Sequence, residues 1–527
     1  MWRYADIRTV PDIIRHWSSA VPRRVALVQG SRQVTYGELG DRSSRIANAL
    51  LASGAGPGSH IGFLGKNSAE FFQVWLGATK AGGAIAPFNW RSSPAELAEL
   101  IDDAQAPVVF VSEELLGTLE EVRRQSHTGF EIVSFSADGS PDHLGRWLQP
   151  HPPSDPRIPL TGTETALLAY TSGTTGRPKG VQLSHDAFHY SFLCSALEPS
   201  LGLQDDDVLV MVMPNFHLAG SWVSLPALYH GAKIAILPFF EPAATLRAIR
   251  QQRPTVVCLV PTAMQMILDH ADVAATDFST LRRMLYAGSP IGAETLQRAI
   301  DVFRCDLVQF YGTTEMWIIS VLGPGQHDPG KPAHLTSCGT PLPFVEIRVV
   351  DAELKDVPDG TVGELIVRSP VMFSGYWNQP DTTARAMAGG WHRTSDLGRR
   401  EADGYYYIAD RAKDMIITGG ENVYSIEVER ALAKHPGVAA VAVVGEPDEK
   451  WGEKVTAFVV LAPGAGADED DLRAHCRGLI AGYKVPKSIR IESSLPMTAS
   501  GKIQKAELRR RLSADLAGEL AHPAASR

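Results

Sequence analysis

The chain has 527 residues, of which 44% are hydrophobic and 21% charged, as in a globular protein of two to four domains. The formal net charge of −9 argues against a protein that binds nucleic acid through a broad basic face. The five cysteines form no C-x-x-C pair and no zinc-binding spacing, so we expect inert thiols in a reducing compartment, the cytoplasm. The N-terminus is unlike a secretory signal and no stretch approaches about eighteen consecutive apolar residues, so we expect no transmembrane segment.

The first part of the chain alternates between short apolar runs and helical patterns. The predicted strands are His60 to Leu64, Ala84 to Pro87 and Val108 to Val111. The predicted helices are Asp41 to Leu51, Ala69 to Lys80 and a helix that begins at Pro94. This alternation predicts βα units and a largely parallel sheet. We expect the proline-rich segment from Gly139 to Pro159 to be a surface connection between two lobes.

The pattern changes beyond Gly339. Before this residue, apolar strands and helices alternate again from Leu209 onward. After it, the segments VEIRVVD and TVGELIVRS alternate with a period of two, which predicts antiparallel strands. From Lys413 onward we expect a small α+β unit, with an Ala-rich tail that frays from Ser513.

The clearest candidate site is the segment TSGTTGRPKG, from Thr171 to Gly180. It lies between two apolar runs, and its three glycines and one proline exclude a helix. Glycines let backbone N–H groups cup an anion, the hydroxyl side chains add donors, and Lys179 adds a positive charge. The segment lacks the Walker spacing, because Gly180 follows the lysine. We interpret it as a phosphate-binding loop, and a flexible connector is the alternative.

Three further stretches carry groups that suit a nucleotide. YGTTE, from Tyr311 to Glu315, places an aromatic ring, hydroxyls and a carboxylate after an apolar strand, where open α/β sheets bind ligands. Asp396 and Arg411, separated by a predicted hairpin, suit the hydroxyls of a ribose, and a surface salt bridge is the alternative. Lys502 follows Gly501 on a predicted loop tip, where a cation can neutralise developing charge; a solvated lysine is the alternative.

In order and spacing, these stretches resemble the adenylate-forming superfamily of acyl-CoA synthetases, luciferases and peptide-synthetase adenylation domains. The motifs are VTYGEL, KAGGAIAPFN, YTSGTTGRPKG, PNFHLAG, YGTTE, HRTSD, DRAKDMIITGGENVYSIEVE and PMTASGKIQK, and they cover residues 34 to 505. The resemblance implies an α/β fold whose large N-terminal domain, residues 1–412, contains αβ-layered subdomains and a β-rich subdomain. It also implies a small mobile α+β C-terminal domain, residues 413–527, with the active site in the cleft between the domains.

The resemblance further implies an enzyme that uses ATP, Mg²⁺ and coenzyme A to activate a small-molecule carboxylic acid. The residues that it assigns to catalysis are Lys502, Thr314, Glu315 and His217, and those assigned to Mg²⁺ are Thr171 and Glu315. The residues that it assigns to the nucleotide and to CoA are Thr171, Ser172, Gly173, Thr174, Thr175, Gly176, Lys179, Gly288, Ser289, Gln309, Phe310, Tyr311, Gly312, Thr313, Asp396, Arg411, Gly419 and Gly420. The residues that it assigns to the acyl group are His217, Leu218, Ala219, Gly220, Gly312 and Trp317, and the hinge is assigned to Lys413. For His217, a packing histidine is the alternative.

Two positions depart from the family pattern. The family usually has Gly before the Asp of the ribose motif, where this chain has Ser395. It usually has Pro where this chain has Ser425. Neither change removes a ligand group, so we expect an active enzyme.

The acceptor and the acyl group are less well defined. GGENVYSIEVE resembles the CoA-ligase form of its motif and no carrier domain follows it, so we expect CoA as the acceptor. The alternatives are an enzyme that loads a carrier protein, a luciferase, and a non-catalytic nucleotide-binding homologue. PFNWRSSPAEL resembles fatty-acyl-CoA ligases and favours a fatty acid or a similar hydrophobic acid; aromatic and alicyclic acids are the alternatives. The oligomeric state is left open, with a homodimer as one option.

Overall fold

The structure is a computed structural model that describes residues 4–171, 178–328, 330–331, 333–418, 421–448, 451–498 and 502–521. Its α-helices are Val10–Ala20 (α1), Tyr36–Ala52 (α2), Ala69–Lys80 (α3), Pro94–Ala104 (α4), Leu116–Gln125 (α5), His143–Leu148 (α6), His185–Leu197 (α7), Leu218–Tyr229 (α8), Pro242–Gln252 (α9), Pro261–Leu268 (α10), Ala293–Phe303 (α11), Pro380–Ala386 (α12), Ser425–Ala433 (α13), Glu469–Arg477 (α14) and Lys505–Ala521 (α15). Its strands are Val25–Gln29 (β1), Arg32–Thr35 (β2), His60–Leu64 (β3), Ala84–Phe88 (β4), Val108–Ser112 (β5), Glu131–Phe135 (β6), Thr165–Thr171 (β7), Lys179–Ser184 (β8), Val208–Met211 (β9), Lys233–Ile236 (β10), Val256–Leu259 (β11), Arg283–Ala287 (β12), Asp306–Tyr311 (β13), Ser320–Leu322 (β14), Thr340–Pro341 (β15), Glu346–Val350 (β16), Gly363–Arg368 (β17), Gly375–Tyr376 (β18), Met387–Ala388 (β19), Trp391–Arg400 (β20), Tyr406–Arg411 (β21), Ile416–Thr418 (β22), Glu421–Val423 (β23), Val438–Asp448 (β24), Gly452–Leu461 (β25) and Ser488–Glu492 (β26). In this described part of the chain, no helix has the length and apolar character needed to cross a bilayer.

Local capping signals set the starts of several helices. The side chain of Thr35 accepts a hydrogen bond from Glu38 N at the start of α2, and Ser93 does the same for α4, where Pro94 takes the first helical position. The predicted bounds of β3 and α3 and the predicted start of α4 are confirmed. Helix α2 begins at Tyr36, earlier than the predicted Asp41, because the cap lies at Thr35.

Within the described residues the strands form four sheets. The first has the order β15-β14-β13-β12-β11-β9-β10-β1-β2, and the second has the order β18-β8-β7-β4-β3-β5-β6. The first sheet is parallel in its middle and antiparallel at both ends. The second is parallel from β7 to β6 and antiparallel only where β7, β8 and β18 pair. Both are therefore largely parallel, as the βα alternation predicted. The neighbouring parallel strands β12 and β13 end at Ala287 and Tyr311, so the residues that follow them lie at the same edge of the first sheet.

Helices and sheets alternate in layers through the large unit. One core, which lies between the first two sheets, combines Leu27 and Ile234 of the first sheet with Phe63 and Ile85 of the second and with Trp75 of α3. Helices α9, α10 and α11 cover the other face of the first sheet, and α4 and α5 cover the other face of the second. These layers confirm the predicted αβ-layered architecture.

The third and fourth sheets follow in the chain. The third, of order β16-β17-β20-β19 with β21 on β20, is antiparallel and confirms the predicted β-rich part. The fourth, of order β23-β22-β25-β24 with β26 on β25, carries α13 and α14 on one face and α15 on the other. The third sheet ends at Arg411 and the fourth begins at Ile416, which brackets the proposed domain boundary at residues 412 and 413.

Two expectations were wrong. The segment from Gly139 to Pro159 does not join two lobes: it contains α6 and connects β6 to β7 within one sheet, because the prolines lie on either side of that short helix. The expected end of regular structure at Ser513 is also wrong, since α15 continues to Ala521.

Candidate active site

The predicted phosphate loop is held by a hairpin of the second sheet. Thr171 ends β7, Lys179 begins β8, and the two residues are paired across the antiparallel ladder. The loop residues assigned to the nucleotide, Ser172, Gly173, Thr174, Thr175 and Gly176, lie outside the described residues, as do Gly419 and Gly420. The two apolar runs on either side of the segment both form strands, but β8 begins at Lys179, so Lys179 and Gly180 belong to the strand and not to the predicted loop.

A chain of side chains connects this hairpin to Glu315. The ammonium of Lys179 lies 4.9 Å from the ring centre of Tyr376, a favourable cation–π distance. The hydroxyl of Tyr376 donates a 2.7 Å hydrogen bond to Glu315 Oε1. Burial and the neighbouring carboxylate raise the pKa of Tyr376, so its hydroxyl keeps the proton that it donates. Tyr376 was not predicted, because an aromatic residue beside a glycine is too common a pattern to assign a role.

The donor set at Glu315 fits the Mg²⁺ that the family implies. Oε1 is oriented by Tyr376, while Oε2 makes no hydrogen bond within the described residues and can face a cation. In the described part of the chain, no group of three or more His, Cys, Asp or Glu side chains could hold a metal by itself. A site of one carboxylate completed by phosphates and water is the usual one for Mg²⁺. Glu315, with the Thr171 hydroxyl, therefore remains the proposed site.

The predicted ribose pair forms on the third sheet. Asp396 of β20 lies directly opposite Arg411 of β21, with Nε of the arginine 3.4 Å from Oδ1 of the aspartate. The hydroxyl of Tyr311 donates a 2.7 Å hydrogen bond to Oδ2 of Asp396. Burial raises the pKa of Asp396, and the positive charge of Arg411 is the largest effect that opposes this rise. The structure therefore brings together three of the residues that the sequence assigned to the nucleotide.

Ser395 has a strained backbone. Its φ is +61°, in the left-handed region where glycine is at ease and other residues are not. The residue lies next to an irregularity in the pairing of β17 with β20 and of β20 with β21. This geometry gives a physical reason for the glycine that the family usually has at this position.

The residues predicted to surround the base lie on two faces of β13. Gln309 and Tyr311 are half-buried on one face, whereas the side chain of Phe310 is buried in the large core on the other, because side chains alternate along a strand. Phe310 can therefore offer only its backbone to a ligand. Gly288 and the half-buried Ser289 follow β12 at the same sheet edge, and Gly288 has a φ of +95°.

A tight turn follows Tyr311. A Cβ on Gly312 would lie 1.9 Å from the carbonyl oxygen of Trp317, so only glycine fits there. The backbone closes through a 2.8 Å hydrogen bond from Ile319 N to Tyr311 O. Thr314 is half-buried in this turn, and the buried hydroxyl of Thr313 has no hydrogen-bond partner in the described part of the chain. The turn places Thr314 and Glu315 next to the edge where β13 ends.

Lys502 reaches this edge from the small unit. It lies on a hairpin in which Thr498 N donates to the Lys502 carbonyl and Lys502 N donates to the Thr498 hydroxyl. A Cβ on Gly288 would lie 3.3 Å from Cε of Lys502, which shows how closely the lysine approaches the large unit. The residue as a whole is exposed, but protein atoms crowd its ammonium; this desolvation and the charge of Arg411 lower the pKa of Lys502 to about 8, while Asp396 opposes the fall.

His217 precedes α8 and lies near the same lysine. Burial, followed by the charges of Lys502 and Arg91, lowers the pKa of His217 to about 4, so the imidazole is neutral near pH 7. Arg91 was not predicted, although its guanidinium also lies 4.0 Å from the centre of the Trp90 ring. A half-buried neutral histidine beside the lysine is compatible with the predicted role near the carboxylate.

The residues after His217 serve different purposes. Leu218 and Ala219 are half-buried and pack against the cores on the two faces of the first sheet. Gly220 was expected to leave room for the acyl group. Its lack of a side chain also allows the backbone to pack closely at the start of α8. A Cβ on Gly220 would lie 2.2 Å from the carbonyl oxygen of Pro214, so α8 can begin here only with glycine.

The two units meet around the predicted hinge. Lys413 lies in a turn closed by a 2.8 Å hydrogen bond from Asp414 N to Arg411 O. Asp410 of the third sheet accepts a 2.5 Å hydrogen bond from Ser425 N, at the start of α13. Proline has no N–H, so the usual residue of the family at this position could not make this contact. The departure at Ser425 therefore adds a hydrogen bond between the units.

Two family descriptions match the chain. Residues 14–377 match the AMP-binding enzyme family, and residues 427–502 match the AMP-binding enzyme C-terminal domain. The chain belongs to the AMP-binding enzyme family. As the motifs predicted, this AMP-binding enzyme is an adenylate-forming protein similar to acyl-CoA synthetases, and it is an AMP-forming acid–thiol ligase.

Curated relatives of this AMP-binding enzyme cover nearly its whole length. A fatty acid–[acyl-carrier-protein] ligase, ScoC of Streptomyces coeruleorubidus, is 35% identical over 519 residues, which are 98% of each chain. A feruloyl-CoA synthase of an Amycolatopsis species is 36% identical over 491 residues, which are 93% of this chain and 96% of its own.

A solved structure of similar shape exists in two forms. The crystal structure of ATP-bound MatB from Rhodopseudomonas palustris has a TM-score of 0.87 at 29% identity and covers 95% of this chain and 99% of its own. The apo crystal structure of MatB has a TM-score of 0.77 with the same coverage and 29% identity. The present arrangement of the AMP-binding enzyme is thus more similar to the ATP-bound form.

Proposed function

We propose that this AMP-binding enzyme is an acid–CoA ligase that converts a hydrophobic carboxylic acid, a fatty or an aromatic acid, into its CoA thioester through an acyl-adenylate. The observation that carries the proposal is the meeting of Lys502 with Gly288 and with the Asp396–Arg411 pair. A cation from the small unit thereby faces the sheet edge that carries the nucleotide motifs.

In the first half-reaction, a carboxylate oxygen of the acid attacks the α-phosphorus of ATP, and the bond to pyrophosphate breaks. Mg²⁺, when bound, neutralises part of the triphosphate charge. Lys502 places its ammonium against the carboxylate and the α-phosphate, whose negative charges are most crowded in the transition state. Thr314 offers a hydroxyl to the α-phosphate, and Asp396 accepts hydrogen bonds from the ribose.

In the second half-reaction, the thiol of the acceptor attacks the acyl carbon and AMP leaves. In the proposed reaction Lys502 would stand in the way of the thiol, so the small unit would have to move between the two half-reactions. Rotation about Lys413 would withdraw the lysine hairpin without unfolding either unit, as in enzymes that assemble their site by domain closure.

CoA and a carrier protein are the two candidate acceptors, and each is used by one of the relatives named above. An exposed Trp451 with the Lys487 ammonium 3.7 Å from its ring centre favours CoA, because an indole and a cation suit an adenine nucleotide. The Lys487 ammonium also lies 3.4 Å from the hydroxyl oxygen of Thr418. Thr418 directly precedes Gly419 and Gly420, the two glycines predicted to bind CoA.

The test is pyrophosphate release by the purified full chain with a panel of acids, including fatty acids from hexanoate to palmitate and benzoic and phenylpropenoic acids. Each acid is assayed without acceptor, with CoA and with an acyl carrier protein. We expect a single burst without acceptor and continuous turnover with CoA. Turnover with the carrier protein alone would contradict CoA as the acceptor, and no pyrophosphate with any acid would contradict the proposed function as a whole.

A further inference from the structure

The indole N–H of Trp317 is used differently from that of four other described tryptophans. Among the described side chains, those that donate this N–H to an oxygen include Trp17, Trp75, Trp147 and Trp377. Trp317 is only 6% exposed, yet its Nε1 has no hydrogen-bond partner within the described residues. Native proteins pair most buried donors, so an unpaired one calls for an explanation such as a missing ligand.

The backbone of Trp317 is also unusual. Its φ is +62°, which is rare for a bulky residue and costs about 1–2 kcal/mol. The tight turn between Tyr311 and Ile319 imposes this conformation, because Gly312 packs directly against the carbonyl of Trp317. Strained residues of this kind cluster at functional sites. The turn therefore holds the indole in a fixed place two residues after Glu315.

The place of the indole suits the distal end of an acyl group. Its ring packs edge-to-face on Phe188 of α7 at 4.9 Å, and Leu218 packs against the same core. In the proposed reaction the carboxylate of the acid lies among Thr314, His217 and Lys502. The rest of the acid must then extend from these polar groups toward the apolar side of the turn, which is formed by the Trp317 ring and its neighbours.

We propose that Trp317 selects the acyl group: its ring ends the acyl pocket, and its indole N–H donates to an oxygen on the far end of the acid. This inference rests on the proposed function and narrows its substrate class. The preferred acid is compact or aromatic and carries a hydroxyl, methoxyl or carbonyl oxygen. A long unbranched alkyl chain is excluded, because the ring blocks it and leaves the donor unpaired. A site built to pair a polar group discriminates strongly against analogues that lack one.

The test compares matched acids on wild type and on Trp317→Phe, which keeps an aromatic ring and removes the N–H. The probes are 3-phenylpropenoic acid, its 2-, 3- and 4-hydroxy and methoxy derivatives, and palmitate, followed by pyrophosphate release. For the best oxygenated acid, we expect Trp317→Phe to lower kcat/KM about 10-fold. For the parent acid without oxygen, we expect a change of less than about 2-fold.

Two further variants separate selection from folding. Trp75→Phe removes a buried indole whose N–H is paired with Ala166 O, so it should leave the preference for oxygenated acids unchanged. Trp317→Leu should open the pocket and raise the rate with palmitate relative to wild type. A wild-type preference for palmitate, or an equal loss on both phenylpropenoic acids in Trp317→Phe, would overturn the inference. Either result would still leave pyrophosphate release, and thus the proposed function, intact.

Discussion

The proposed ribose site, formed by Asp396 and Arg411, and the proposed catalytic lysine, Lys502, are built in opposite ways. Asp396 is buried on a strand, accepts a hydrogen bond from Tyr311 and lies 3.4 Å from Arg411. Lys502 lies on a hairpin of the small unit, and its ammonium makes no hydrogen bond to any residue that the structure describes. In the proposed reaction, the groups that bind the nucleotide are therefore pre-organised in the large unit, whereas the small unit supplies the positive charge of Lys502 that stabilises the transition state.

The substitution Lys502→Ala should have the largest effect. Loss of the ammonium should lower the rate of acyl-adenylate formation about 100- to 1,000-fold, because the charge acts mainly on the transition state. Thioester formation from supplied acyl-adenylate should be nearly unchanged. Single-turnover assays of each half-reaction measure both effects, with the exposed Lys434→Ala as a control expected to have no effect. Equal losses in the two half-reactions would remove the proposed role.

The substitution Asp396→Asn tests the proposed ribose site. The amide keeps the shape but loses the charge that accepts hydrogen bonds, and charged hydrogen bonds contribute about 1.5–3 kcal/mol. We therefore expect kcat/KM for ATP to fall about 10- to 100-fold, mainly through a higher KM. The control is Asp359→Asn, at an exposed turn residue whose Oδ1 lies 2.8 Å from Nε of Arg400 at the end of β20. A similar loss in both variants would mean that Asp396 acts through the stability of the sheet.

The substitution Ser425→Pro tests the contact between the two units. Proline suits the first turn of α13 but cannot donate to Asp410, so one hydrogen bond of the present arrangement is lost. Adenylate formation should slow about 3- to 10-fold relative to thioester formation, the equivalent of about one hydrogen bond. Ser425→Ala retains the N–H and loses only the hydroxyl that accepts from Lys505. An unchanged ratio of the two half-reaction rates in Ser425→Pro would show that the contact does not bias the arrangement.

Local patterns predicted much of the fold and part of the site. The strand from His60 to Leu64 is a short apolar run between breaks, and the pairing of Asp396 with Arg411 follows from the hairpin between them. Contacts set by tertiary structure could not be predicted. Tyr376 meets Glu315 across 61 residues, and no local signal encodes that distance.

Backbone geometry escaped prediction for a similar reason. The positive φ angles of Ser395 and Trp317 are imposed by a strand irregularity and by a closed turn, and neither residue type favours them. The proline-rich segment after Gly139 was misassigned because proline marks a break in regular structure without showing whether the next strand joins the same sheet. Sequence patterns thus locate motifs well but do not show how they are strained or joined.

The substitution Ser395→Gly should have the smallest effect, and it tests the backbone strain at the residue before Asp396. The left-handed φ costs serine about 1–2 kcal/mol, whereas glycine raises the entropy of the unfolded chain by roughly 0.5–1 kcal/mol. We expect a net gain of about 0.5 kcal/mol and a rise of about 1 °C in the midpoint of thermal unfolding. Activity should be unchanged, since the backbone N–H still donates to Glu364.

The control for this variant is Ser53→Gly, at an exposed helix end with a φ of −81°, where glycine relieves no strain and the midpoint should fall. Equal falls in both variants would mean that serine is not strained at position 395. A lower kcat/KM for ATP in Ser395→Gly, without loss of stability, would contradict the expectation that activity is unchanged. Because Ser395 directly precedes Asp396, that result would mean that the strained backbone positions the carboxylate, and that the pre-organisation of the proposed ribose site depends on it.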